Sequence, residues 1–191
     1  MAKSNIQSKI QSAEKEIGRQ KKALAKLRMK AERRPVPDYE LLGPGNKPIR
    51  LSKLFGNKDE LIVVHNMGKG CPYCALWADG FNGMLKHLEN RAGFAVESPD
   101  APAIQKKIAK KKGWKFKFVS SANSQFRTDM GFMKGKDPWP GVSTFQKDKS
   151  GRIYQVNKSF FGPGDNFCST WDLFDLLPKG VNGWEAKHNY K

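Results

Sequence analysis

The chain has 191 residues, a formal net charge of +17 and 38% hydrophobic residues, which suits one globular domain with an appendage. Three cysteines are too few for the disulfide framework of a small secreted protein, and no apolar run approaches membrane-spanning length. The N-terminal residues contain no apolar signal core, so we expect a cytoplasmic protein without a membrane segment.

The positive charge is concentrated in two segments. Residues 1–34 hold eleven Lys/Arg and three Glu, and residues 101–128 hold eight Lys/Arg and no acidic residue. Such surfaces attract nucleic acid, anionic membrane or acidic proteins, although lysine-rich helices more commonly present a solvated face.

A long helix is predicted for residues 5–33, followed by Pro35, which a helix does not accommodate. A narrow apolar seam recurs every seven residues, at Ile10, Ile17, Leu24 and Ala31. This seam packs on the chain's own domain or forms a homodimer, and the sequence does not separate the two. We predict a basic helical extension at 1–34 and a domain at 35–191.

The domain begins with two short predicted strands around the turn at 43–46 and one turn of helix near 52–55. The apolar, β-branched run Leu61–Val64 predicts a buried strand. A loop with two glycines then leads to Cys71-Pro-Tyr-Cys74 at the start of a helical pattern. A thiol at a helix N-terminus is favoured as a thiolate by free N–H groups and the helix dipole. The arrangement is typical of a dithiol/disulfide catalyst.

The same cysteine spacing occurs in half of a zinc site. Zinc needs four ligands, usually supplied by a second pair. The other possible zinc ligands are Cys168, His65, His87 and His188, and no two of them have the spacing of a second ligand pair. Redox chemistry is therefore favoured, with no metal and no cofactor expected. Two unconnected core cysteines are a third interpretation, but the flanking strand and helix disfavour it.

The rest of the chain alternates helices and strands before a late hairpin. We predict strands at 93–97, 114–119, 141–146 and 152–157, and helices at 103–112 and 168–177. Residues 120–139 read as irregular, and a glycine-rich loop spans 160–166. This order predicts an α/β layered domain.

The chain resembles the thioredoxin fold, and more narrowly the DUF899 family of thioredoxin-like bacterial proteins, over roughly residues 37–180. The motifs that carry the resemblance are GNKPIRLSKLFG, LIVVHNM, GCPYCALWADGFNG, GWKFKFVSS, PGVSTF and LFDLLPKG. It implies a central mixed sheet flanked by helices, with the long helix added at the N-terminus. It also implies that Cys71 is the attacking thiolate and Cys74 the resolving thiol, acting on a protein or small-molecule disulfide.

Two further residues receive roles from the resemblance. A cis proline precedes the corresponding strand in thioredoxin-like folds, and Pro140 fits that place, with Pro138 as a competitor and ordinary turn prolines as the alternative. His65 stands six residues before Cys71, where thioredoxins carry a buried acid, and alternation places it on the face of Leu61 and Val63. A neutral imidazole there either accepts a proton from Cys74 or is a satisfied core histidine.

Other candidates have simpler interpretations. Lys69 adds positive charge near Cys71 or is a solvated loop lysine. Asp79 reads as a surface acid, and Cys168 reads as a half-buried apolar filler. A peroxidatic cysteine follows a Pro-x-x-x-Thr/Ser-x-x-Cys pattern, whereas Val64 and Gly68 occupy these positions before Cys71. Peroxidase is rejected as the first choice.

The competing class is a non-enzymatic binding module with basic surfaces. Residues 106–118 mix lysines with aromatics, a combination that grips phosphates and stacks bases. Trp114, Phe116 and Phe118 alternate as a strand does, however, and this pattern turns the rings toward a core. Binding of nucleic acid or an acidic protein therefore ranks behind redox chemistry.

Overall fold

The computed structural model of the protein describes residues 2–190. The chain divides into two compact units, residues 1–33 and residues 34–191. The first unit contains one helix, α1 (Ala2–Met29), in which the seam residues Ile10, Ile17 and Leu24 are exposed. Within the described residues, no helix combines the length and the apolar character that crossing a membrane requires.

The second unit is built on a mixed sheet of eight strands: β1 (Arg34–Val36), β2 (Glu40–Leu42), β3 (Pro48–Arg50), β4 (Glu60–His65), β5 (Gly93–Ser98), β6 (Lys117–Ser120), β9 (Gly141–Lys147) and β10 (Ile153–Phe160). Their order in the sheet is β1-β10-β9-β4-β5-β6-β2-β3. A separate two-stranded ribbon consists of β7 (Met133–Lys134) and β8 (Asp137–Pro138). The central β4, β5 and β6 run parallel, and β9 pairs antiparallel with β4.

Within residues 34–190, six α-helices accompany the sheet: α2 (Leu51–Leu54), α3 (Pro72–Gly83), α4 (Leu85–Arg91), α5 (Pro102–Lys112), α6 (Phe126–Asp129) and α7 (Ser169–Asp175). A short 3₁₀-helix spans Pro44–Asn46. The stretch at 120–139, predicted to be irregular, contains α6 and the ribbon. The sequence also missed β1, because proline interrupts a strand pattern. Pro35 is tolerated since β1 lies at the sheet edge, paired only with β10.

Side chains of β4 alternate between two apolar clusters, one on each face of the sheet. Val64 joins the cluster that contains α3, with Cys71, Cys74 and Trp77. Val63 joins the other cluster, with α2 and α6. Strand β4 therefore carries the loop to α3 at its end, and from Leu61 to His65 both of its faces are covered by the two clusters.

Candidate functional site

Cys71 lies at the junction of the β4 loop and α3. It is the N-cap residue of α3, with an extended backbone (φ −104°, ψ 105°), and Pro72 follows in the first turn. Its Sγ accepts the backbone N–H of Cys74 at 3.0 Å, so the sulfur satisfies a donor that the helix start leaves free. Only 8% of Cys71 is exposed.

Cys74 lies one turn deeper and is 2% exposed. Its Sγ accepts the backbone N–H of Met67 at 3.3 Å. Both residues are free thiols. Hydrogen bonding from Cys74 is the main influence that lowers the pKa of Cys71, with help from backbone N–H groups and against the effect of burial. The same hydrogen bond, together with burial, raises the pKa of Cys74. Charge is therefore favoured on Cys71 and the proton on Cys74.

A cavity of about 310 Å³ opens beside Cys71. Its lining combines apolar and basic side chains with one carboxylate: Asn66, Gly68, Lys69, Cys71, Ala75, Asp100, Ile108, Lys111, Lys112, Trp114, Phe118 and His188. The lysines come from the loop before α3 and from the last turn of α5, so two separate elements bring positive charge to the same cavity.

Two carboxylates fix the cavity walls. Asp79 accepts the indole N–H of Trp114 at 2.6 Å and lies 3.7 Å from the ammonium of Lys112. Asp100 accepts the backbone N–H of Lys69 at 2.7 Å. Gly68 permits this approach, because its φ is +104° and a Cβ there would lie 2.9 Å from the Asp100 carboxylate.

A buried polar network lies on the opposite face of β4 and centres on Glu97 of β5, which has no exposed surface. The Glu97 carboxylate accepts hydrogen bonds from His65 Nδ1 at 2.9 Å and from Arg127 at 2.9 and 3.2 Å. Ser121 Oγ donates to the Glu97 carboxylate oxygen that does not bind His65. Burial, the largest single influence, raises the pKa of Glu97, but Arg127 and His65 outweigh it, and the net pKa lies below its usual value. Glu97 is therefore ionised and paired with Arg127.

His65 is fully buried on the face of Leu61 and Val63, where alternation placed it. Burial lowers its pKa and outweighs the opposing hydrogen bond to Glu97, so the imidazole is neutral. Since a carboxylate only accepts, Nδ1 carries the hydrogen, and Nε2 accepts from Ser143 Oγ at 3.0 Å. Both ring nitrogens are thus occupied by groups other than Cys74, as in a satisfied core histidine.

Arg127 connects the buried network with the two loops near the thiols. Its Nη2 donates to the Asn66 carbonyl at 2.5 Å, and its Nη1 donates to the Trp139 carbonyl at 3.1 Å. Asn66 Oδ1 in turn accepts the N–H of Gly68 at 2.8 Å. One buried guanidinium therefore holds the start of the cysteine loop and the segment that leads into β9.

The prediction of a cis peptide bond before Pro140 is wrong. No peptide bond among residues 2–190 is cis, so the Trp139–Pro140 bond is trans. Pro140 nevertheless directly precedes β9, whose first residue, Gly141, pairs with His65 at the end of β4. The backbone thus enters β9 beside the strand that leads to the thiols. Pro138, the competitor, lies in β8.

A family described as "bacterial protein of unknown function (DUF899)" matches residues 4–190. The chain belongs to this family. The match includes the N-terminal helix, beyond the residues 37–180 that the sequence motifs cover. No curated protein matches the chain.

Solved structures confirm the thioredoxin-like α/β fold of this DUF899 protein. Peroxidoxin BcpB from Mycobacterium tuberculosis has 23% identity and a TM-score of 0.53, over 75% of this chain and 92% of that chain. A mutant of PrxQ from Xylella fastidiosa has 18% identity and a TM-score of 0.53, over 68% and 84%. Reduced 2-Cys peroxiredoxin from Plasmodium vivax has 12% identity and a TM-score of 0.51, over 69% and 85%.

The structure of this DUF899 protein brings Cys71 and Cys74 together and places His65 in the separate network behind β4. Cys168 is a buried free thiol in the apolar cluster that contains α3. Sequence reasoning missed Glu97 and Arg127. Glu97 reads as one polar position in a strand, and Arg127 lies in the stretch predicted to be irregular, so no local pattern joins them.

Proposed function

We propose that this chain is a thiol–disulfide oxidoreductase that acts on protein or small-molecule disulfides. The observation that carries the proposal is the asymmetry of the two thiols. Cys71 lies at the N-cap and accepts hydrogen bonds, whereas Cys74 is deeper and holds its proton. A thiolate is the species that attacks a disulfide, and a thiol held one turn away is suited to resolve the mixed disulfide.

In the first step the Cys71 thiolate attacks one sulfur of the substrate disulfide. A Cys71–substrate disulfide forms, and the other sulfur leaves as a thiolate that takes up a proton. This step removes the thiolate that accepts the hydrogen bond of Cys74, and that bond is the main influence that raises the pKa of Cys74, ahead of burial. The Met67 N–H remains as a donor to Cys74 Sγ and favours its thiolate.

In the second step Cys74 releases its proton to solvent, which offsets the proton taken up by the first leaving thiolate, and the Cys74 thiolate attacks Cys71 Sγ. The mixed disulfide breaks, the second half of the substrate leaves as a thiolate, and a Cys71–Cys74 disulfide remains. Two electrons have passed to the substrate, and an external dithiol restores the reduced enzyme. In this proposal the backbone at Pro140 lies beside an extended substrate, and His65 supports the strand behind the thiols.

Peroxidase chemistry receives no support from the residues around Cys71. None of the described residues that line the adjoining cavity carries the Ser or Thr hydroxyl that would orient a peroxide. The binding module is also weaker, because Trp114 and Phe116 are at most 9% exposed and stack on each other at 5.4 Å. Rings packed in this way do not form an open platform for bases.

The test is reduction of insulin disulfides and of hydroxyethyl disulfide with dithiothreitol as electron donor. We expect Cys71→Ser to lower turnover to the background of dithiothreitol alone, Cys74→Ser to accumulate a mixed disulfide on Cys71, and Cys168→Ser to remain active. A wild-type protein that reduces neither disulfide, with a Cys71 that titrates like a free thiol, would contradict the proposal. Faster consumption of hydrogen peroxide than of either disulfide would assign the thiols to peroxide instead.

A further inference from the structure

The cavity beside Cys71 indicates which disulfides reach it. Resting on the proposed function, we infer that the substrate is a small disulfide that carries an anionic group next to an apolar body. Three features of the cavity support this: its size, its free positive charge and its rigid apolar wall.

The size of the opening favours a small molecule. A cavity of about 310 Å³ lies at the lower end of the range of roughly 300–1,000 Å³ that small-molecule sites occupy. Cys71 lines it and is only 8% exposed. A disulfide on the surface of a folded protein brings a broad backbone with it, whereas a small disulfide enters the cavity with its sulfur in reach.

The charges on the lining favour an anion. Lys112 is already engaged by Asp79 and by the His188 carbonyl, to which its ammonium donates at 3.2 Å. Among the side chains that the structure describes, residues 5–190, neither the Lys69 ammonium nor the Lys111 ammonium has a carboxylate within ion-pair distance. The lining carboxylate, Asp100, is bound by a backbone N–H. The two lysines are therefore available to bind a carboxylate or phosphate of the substrate.

The apolar wall favours a substrate with a carbon body. It consists of Ala75 from α3, Ile108 from α5, and the rings of Trp114 and Phe118. Trp114 is fixed by its hydrogen bond to Asp79 and by stacking on Phe116. A fixed ring offers contact area without loss of side-chain freedom on binding.

The reaction is the exchange already described, with the two halves of the substrate distinguished. Cys71 bonds to the sulfur of the half that lies in the cavity, and the outer half leaves as a thiolate. Cys74 then bonds to Cys71, and the half in the cavity leaves as the second thiolate. The oxidised enzyme is restored by an external dithiol.

The experiment measures single-turnover oxidation of reduced full-length protein by four disulfides: anionic dithiodipropionate, anionic aromatic dithiobis(nitrobenzoate), neutral hydroxyethyl disulfide and cationic cystamine. Each rate is divided by the rate of the same disulfide with free dithiothreitol, which removes differences in intrinsic reactivity. Salt is held at about 0.15 M, where long-range steering is screened beyond about 8 Å. The variants are Lys69→Gln, Lys111→Gln and, as control, Lys110→Gln. Lys110 lies in the same last turn of α5 but does not line the cavity.

We expect dithiobis(nitrobenzoate) to react fastest, then dithiodipropionate, then the neutral and cationic probes. Lys69→Gln and Lys111→Gln should each reduce the preference for anions about fivefold, as a charge contact of about 1 kcal/mol implies, and Lys110→Gln should leave it unchanged. Insulin is run as a fifth oxidant, a protein disulfide, under the same conditions. Equal normalised rates, an equal loss in Lys110→Gln, or faster reaction with insulin than with every small probe would each overturn the inference while the proposed function stands. Failure of all probes to oxidise Cys71 would instead overturn the proposed function.

Discussion

Two polar clusters lie on opposite faces of β4, and they differ in how their charge is held. The Cys71–Cys74 pair is bound largely by backbone N–H groups and borders an open cavity. The Glu97 network is sealed, and its carboxylate is satisfied by side chains, with Arg127 as the countercharge. Hydrogen bonds favour ionisation in both places, but only the thiol pair can meet a reactant.

The thiol pair contains a group that changes its charge during the proposed reaction, Cys71, whereas the Glu97 carboxylate keeps its charge. A thiolate on Cys71 disappears when it attacks, and few other contacts depend on it. The charge on Glu97 cannot be removed without leaving Arg127 unpaired in the core, which is costly. Arg127 also donates to the Asn66 carbonyl, so the Glu97 network holds the start of the loop that leads to Cys71.

The largest loss of stability is expected from breaking the buried Arg127–Glu97 ion pair. Arg127→Met should lower the free energy of unfolding by about 3–5 kcal/mol, because a buried carboxylate then lacks its countercharge. Urea unfolding measures the loss. Adding Glu97→Gln should restore part of it, since the remaining amide needs no countercharge.

Arg91→Met is the matched control, because the Arg91–Glu60 pair lies on the surface, with side chains 72% and 46% exposed. We expect a much smaller change there. A loss in Arg127→Met no greater than in this control would show that Arg127 and Glu97 are not paired in solution.

Acid should destabilise the sealed cluster before it affects the rest of the core. His65 and Glu97 both have lowered pKa values in the folded state. The unfolded chain therefore takes up protons that the folded chain does not: on His65 below about pH 6.5 and on Glu97 below about pH 4.5. Stability is complete above these values and falls as the pH drops through them, by at most about 1.4 kcal/mol per pH unit for each proton.

Urea unfolding between pH 8 and pH 4 measures this slope, and His65→Gln should flatten its upper part. A slope unchanged by His65→Gln would show that His65 titrates alike in both states. The same variant tests proton transfer: we expect normal release of the mixed disulfide, because both His65 nitrogens bind groups other than Cys74. Slower release would instead identify His65 as a relay.

The Cys71–Cys74 pair was predictable from sequence, and the Glu97 network was not. A β-branched run, a glycine loop and two cysteines at helical spacing are local signals, so the position of Cys71 at the start of α3 follows from neighbours in the chain. Glu97 and Arg127 are thirty residues apart, and they meet because α6 packs under β5. Pairing of this kind depends on tertiary structure. For the same reason the sequence left His65 open between a proton acceptor for Cys74 and a satisfied core histidine, whereas its partners lie on β5 and β9.

The smallest expected change is in the pKa of Cys71 when its partner thiol is replaced. Cys74→Ala removes the S–H that is the main influence lowering the pKa of Cys71, so that pKa should rise. Cys74→Ser keeps a hydroxyl donor at the same position and should raise it less. Titration of the thiolate by ultraviolet absorbance, in a Cys168→Ser background, reports Cys71 alone. The backbone N–H of residue 74 still reaches Cys71 in both variants, so the rise is limited. If Ala and Ser give the same pKa, the helix start rather than the second thiol determines the charge on Cys71, and the asymmetry between the two cysteines loses its proposed cause.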